Sequence, residues 1–214
     1  AMALVQLYEE GRLDLDATVA SLLPEIRIDN PWEVTEPVRV RHLLEHTAGF
    51  DDMHFNEIYV LDDTADKPLA EVLLGAPASR RVRWRPGTRM AYSNPGYAVA
   101  GRIIEVASGK PFDQFILERI FAPLEMKAST FSGNVDAAAL AQGYEVLAGP
   151  PVTRRRIHLR PAGALHSSPR ELGHFVEIAV DNCFEALHRL GHRHGLAADT
   201  GEHFGHVERL AEET

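Results

Sequence analysis

The first residues already carry a helical pattern. Ala3, Leu4, Leu7 and Tyr8 fall at helical spacing, and Gly11 follows Glu9-Glu10 as a stop. No Ser, Thr, Asp or Asn stands before this run to accept its first N–H groups, so the expectation is a chain cut from a longer protein. Leu13-Asp14-Leu15-Asp16 reads as a turn into a short helix capped by Asp16, with Val19, Leu22 and Leu23 inward and Pro24 limiting it. Residues 25–37, holding Pro31 and Pro37, read as a connection. Residues 40–46 predict a compact helix closed by Gly49 in the left-handed C-terminal position. Residues 51–89 show no clean period beyond a helix near 69–74, ahead of the breakers Pro77, Pro86 and Gly87.

The clearest pattern follows. Asn94-Pro95 reads as a cap and a proline at the first helical position, then Tyr97, Ala100, Ile103, Ile104 and Ala107 form one stripe that Gly109 and Pro111 end. A second helix with Phe112, Phe115, Ile116 and Ile120 inward breaks at Pro123; the short connection makes the two helices neighbours. Residues 129–151 read as loop. Ser168-Pro169-Arg170-Glu171 is a capping box opening a helix with Leu172, Phe175, Val176 and Ala179 on one face. The natural divisions fall at 1–24, 25–155, 156–180 and a histidine-rich tail, 181–214.

Composition narrows the function classes. With 45% hydrophobic and 25% charged residues the 214-residue chain is an ordinary globular sequence of one large or two small domains. The 22 basic and 31 acidic side chains give −9, which argues against a nucleic-acid partner. Arg80-Arg81-Val82-Arg83 and Arg154-Arg155-Arg156 read as solvated surface. Lone Cys183 excludes an internal disulfide, and no apolar run is long enough to span a bilayer. Localisation stays open.

Two histidine patterns raise the question of metal. His42-Leu43-Leu44-Glu45-His46 spells an inverted zinc-protease motif, two imidazoles one turn apart with a carboxylate between. The tail carries Glu185, His188, His192, His194, His203 and His206 without the tidy spacing of a closed site. The first pattern is better absorbed by the longer signature below and the second by a solvated surface, so neither metal nor cofactor is expected.

Ordered segments carry a resemblance. They are Glu9-Glu10-Gly11-Arg12-Leu13-Asp14-Leu15-Asp16 with Leu23-Pro24-Glu25; Val40-Arg41-His42-Leu43-Leu44-Glu45-His46-Thr47-Ala48-Gly49-Phe50; and Arg85-Pro86-Gly87-Thr88 before Tyr92-Ser93-Asn94-Pro95-Gly96-Tyr97. Pro123-Leu124-Glu125-Met126 and Ala162-Gly163-Ala164-Leu165-His166-Ser167-Ser168 complete the series. Together they resemble the serine β-lactamase and penicillin-binding-protein superfamily, in its class C-like esterase and carboxypeptidase branch. Ala48 stands where Ser is usual and Glu125 where Gly is usual. The resemblance implies an α+β, β-lactamase/transpeptidase-like fold, incomplete here: a mostly helical body with a remnant of the central antiparallel sheet as a strand around 157–165 and a contribution near the C-terminus. Helix faces left without that sheet would favour self-association.

It also implies chemistry. A serine in Ser-x-x-Lys attacks an ester, amide or β-lactam carbonyl to form an acyl-enzyme, with the lysine and the tyrosine of Tyr-x-Asn acting on its proton. On this basis Tyr92 is the catalytic base and Asn94 the residue that holds lysine and substrate. A phenol ordinarily ionises near pH ~10, so the base needs an ammonium beside it. No serine of the chain has a lysine three residues on, and the lysines are Lys67, Lys110 and Lys127 alone. The third motif falls at His203-Phe204-Gly205 or at His206. The expected parent is therefore a serine hydrolase of small esters or amides, this chain lacking its nucleophile. A non-catalytic relic or binding module is the alternative, and a zinc peptidase at His42 and His46 the more distant one. Taken by themselves, Tyr92 reads as a core aromatic and Asn94 as a helix cap.

Overall fold

The computed structural model describes residues 1–53, 55–60, 66–152 and 155–177. The chain divides into two compact units, Ala1–Ser168 and Pro169–Thr214. In chain order the first unit contains α1 (Met2–Glu9), α2 (Val19–Leu22), α3 (Val40–Leu44), α4 (Phe55–Ile58), α5 (Leu69–Gly75), α6 (Asn94–Ser108), α7 (Phe112–Ile116) and α8 (Arg160–Gly163). Two short strands, β1 (Tyr59–Val60) and β2 (Arg156–Ile157), pair antiparallel with Tyr59 opposite Ile157. In the second unit residues 169–177 are helical, as the capping box predicts. Cys183 and the tail histidines lie outside the described residues, as does Ala179.

The first unit is built around α6. It buries Ala98, Val99, Ala100, Gly101, Ile103 and Ile104, a wider face than the single predicted stripe, because α1, α3, α5, α7 and α8 all pack on it. Tyr97 and Ala107, assigned to that stripe, are only half-buried. A fully buried Val or Ile contributes ~1.5–3 kcal/mol, so this helix anchors the unit. Gly109 ends it with φ 73, the left-handed cap the sequence indicates. Gly101 is required by packing: a Cβ there would lie 2.3 Å from Cγ of Pro161 in α8.

Several local readings are corrected. Residue Tyr8 turns outward from α1, which buries Ala3, Leu4 and Leu7. The cap of α2 is Thr18, whose hydroxyl accepts from the Ser21 N–H, whereas Asp16 pairs with Arg41. Thr18 is fixed there by an antiparallel bridge to Arg39, a contact remote in sequence. Helix α3 ends at Leu44 because His46, at φ 56, takes the left-handed position assigned to Gly49. Gly49 has its own reason to be glycine: at φ 80, its Cβ would lie 2.7 Å from the Trp84 carbonyl.

Two further differences involve charge and proline. Arg80 is 1% exposed, not solvated. Its guanidinium donates to the carbonyls of Arg27, Leu73 and Ala76, so it closes the C-terminal end of α5 and ties it to a distant loop. The predicted 157–165 strand is interrupted by α8, where Pro161 sits in the first turn, and extended pairing returns only at His166 opposite Thr130. The Arg160 guanidinium locks this turn, donating to both oxygens of Asp113 and to the Lys67 carbonyl. After α7 the chain widens into a π-helical turn, Leu117–Phe121, and Glu125 adopts φ 54 where the resemblance places glycine.

Candidate active site

Ser93 determines what Asn94 can do. Its side chain caps α6 by accepting from the Gly96 N–H at 3.3 Å, so the predicted capping role of Asn94 is corrected. Asn94 becomes the first helical residue and its carboxamide is free of that task. Tyr92, two residues earlier, is 61% exposed and no core aromatic. Its hydroxyl donates to Asn94 Oδ1 at 3.3 Å, so the two candidate residues meet directly. The Asn94 Nδ2 donates to both carboxylate oxygens of Asp52 at 3.1 Å. A carboxylate only accepts, so the amide orientation follows from chemistry: NH2 toward Asp52, oxygen toward Tyr92.

His46 clasps this segment from the other side. Its carbonyl accepts from the Ala91 N–H at 2.8 Å and its Nδ1 from the Ser93 N–H at 3.2 Å, gripping the backbone on both sides of Tyr92. Its ring lies between Tyr92 and Tyr97, with centroids 4.7 and 5.0 Å away. The left-handed backbone at His46 is what brings carbonyl and ring to the same segment; such a conformation costs a residue with a Cβ ~1–3 kcal/mol. The contacts of His46 are structural, made to Ser93 and to the two tyrosine rings. Asp51 continues the rim, accepting from Ser93 Oγ through its carbonyl and pairing with Arg83 at 3.1 Å through its carboxylate.

The zinc-protease spacing does not survive folding. His42 lies within α3, buried, with Nδ1 accepting from the Arg39 N–H at 3.2 Å, and His46 lies beyond the helix end. Burial, reinforced by neighbouring Arg41, holds the His42 imidazole below its ordinary pKa, against the opposing pull of Glu45. Among the described residues no group of three His, Cys, Asp or Glu side chains is arranged to hold a metal. No helix among them is long and apolar enough to cross a membrane. Lys67 pairs with Glu71 and Lys110 with Glu118. The two candidate third-motif positions, His203 and His206, lie outside the described residues.

The Tyr-x-Asn turn thus stands at the head of a long central helix, with the tyrosine exposed and its hydroxyl on the asparagine. Residues 1–206 match the Beta-lactamase family, and the chain belongs to it. It is 24% identical over 94% of its length to Protein flp of Staphylococcus aureus strain MW2, of which it covers 41%. The octameric penicillin-binding protein homologue from Pyrococcus abyssi superposes with TM-score 0.66 at 27% identity, over 84% of this chain and 42% of that one. The D-amino acid amidase from Ochrobactrum anthropi SV3 gives 0.65 at 28% identity, over 84% and 52%. The chain thus spans about two fifths to one half of these relatives. The fold that the resemblance implies is shown: a largely helical part of a β-lactamase/transpeptidase-like domain, with one short two-stranded pairing among the described residues.

Proposed function

We propose that this chain provides the base-and-positioning half of a serine hydrolase site acting on small esters or amides through an acyl-enzyme. Tyr92 is the base for the nucleophile's proton, and Asn94 is the amide that orients the reacting groups. The observation that carries this reading is the Tyr92–Asn94 hydrogen bond in an exposed turn that His46 and Asp52 hold from two sides. The relatives' names, a penicillin-binding protein homologue and an amidase, support acyl transfer at carbonyl carbon. Since no serine here has a lysine three residues on, the Ser-x-x-Lys pair is not among these 214 residues.

The test is intact-mass analysis after treatment with a fluorophosphonate. No adduct is expected on this chain. A stoichiometric adduct at one serine, lost in Tyr92→Phe, would overturn the assignment of the nucleophile elsewhere. The non-catalytic alternative is favoured by one feature, the engagement of Asn94 Nδ2 by both carboxylate oxygens of Asp52, and predicts no acylation even when a Ser-x-x-Lys is supplied. Self-association belongs to the same proposal. Val5 and Tyr8 of α1 and Val106 of α6 are exposed apolar residues, and the octameric state of one relative supports self-association. Sedimentation of Tyr8→Glu against the parent chain would reveal it as a fall in mass.

A further inference from the structure

We propose that Asp52 is a positioning residue of this site: its carboxylate fixes which end of the Asn94 amide faces Tyr92. The inference rests on the reading of Asn94 as a site residue and deepens it. An asparagine carboxamide has nearly the same shape in its two orientations, so only its partners decide between them. Here the decision is one-sided. Asp52 Oδ1 and Oδ2 each lie 3.1 Å from Asn94 Nδ2, and Oδ1 also accepts from the backbone N–H of Asn94 at 3.3 Å and of Met53 at 2.9 Å. The flipped amide would set an oxygen against an acceptor-only carboxylate and lose these charge-assisted bonds. The carboxylate also sits at the N-terminal end of α6, where the 15-residue helix favours negative charge.

The consequence is chemical. Asn94 shows an acceptor, not a donor, toward Tyr92 and toward whatever stands beside it. A lysine ammonium placed there finds an oxygen to hold it. Any substrate group reaching this oxygen must be an N–H or O–H donor. Asp51 cannot substitute: its carboxylate is taken by the Asp52 N–H and by Arg83, and it reaches Ser93 only through its carbonyl.

Nuclear magnetic resonance of the 15N-labelled chain tests this without any catalysis, so its failure is distinct from failure of the acyl-transfer reading. The Asn94 side-chain NH2 pair is identified by its loss in Asn94→Asp. Lowering the pH through the range in which carboxylates protonate should move this pair toward the shifts of a solvated carboxamide. Asp52→Asn should abolish that response, Asp52→Glu should retain it in part, and Asp51→Asn should leave it intact. A pair already at solvated positions at neutral pH, or a response removed by Asp51→Asn, would overturn the proposal. Should Asp52→Asn fail to fold, the parent titration together with Asp51→Asn decides it.

Discussion

Replacing His46 with alanine should loosen the candidate site more than its exposure suggests. Ser93 is buried at 2% exposure, and the substitution takes away the acceptor of its N–H. An orphaned buried donor costs ~1–3 kcal/mol. The ring contacts with Tyr92 and Tyr97 are lost as well, each worth ~0.5–1.5 kcal/mol, the Tyr92 contact at the lower end because that residue is largely exposed. Alanine gains nothing from the backbone, since its Cβ is no better suited to φ 56 than histidine's. The sum is a destabilisation of ~2–5 kcal/mol. Urea unfolding followed by tryptophan fluorescence measures it, and hydrogen exchange at the Ser93 amide locates it. Asparagine at position 46 tolerates the left-handed backbone and should recover part of the loss. A cost under ~1 kcal/mol with unchanged Ser93 protection would refute the clasp, because the lower bound on an orphaned buried N–H alone exceeds it.

Three more outcomes follow from the packing and the charges. His42 is held below its unfolded pKa, so the unfolded chain binds the extra proton first; stability should fall as pH drops through about 6.5, and His42→Gln should flatten that part of a urea-midpoint profile. Gly101→Ala should cost ~1–3 kcal/mol in the same unfolding assay, because the new methyl meets a rigid proline ring that cannot rotate away. Glu125→Gly should raise stability by up to ~1 kcal/mol, relieving a left-handed conformation that disfavours a Cβ, with thermal melting as the readout.

The helices were legible wherever one chain segment decides its own structure. Gly109 ends α6 and Leu69 opens α5 where the pattern places them, and α7 buries the predicted phenylalanines. Caps were less legible because neighbours compete for them. Thr18 over Asp16 and Ser93 over Asn94 were decided by tertiary contacts, the bridge to Arg39 and the grip of His46 and Asp52. Arg80 reads as surface because its partners are backbone carbonyls, which leave no mark in composition. Pro161 offered a signal against a continuous 157–165 strand, and its place in the first turn of α8 explains the interruption. Tyr92 and Asn94 could be singled out through ordered motifs, while Asp52 could not. It lies 42 residues from Asn94 in a stretch without periodicity, and nothing local distinguishes it from Asp51.

The central claim is that Tyr92 and Asn94 serve a nucleophile that these residues do not themselves contain. Acylation by an activated ester, followed by mass spectrometry with and without a Ser-x-x-Lys segment of a β-lactamase-family relative joined to this chain, tests it most directly. The account predicts no acylation of the chain by itself. With the segment it predicts a serine-linked acyl adduct whose formation Tyr92→Phe slows ~10²–10⁴-fold, the usual contribution of a positioned base. Acylation of the unassisted chain, or an adduct formed equally fast in Tyr92→Phe, would contradict it.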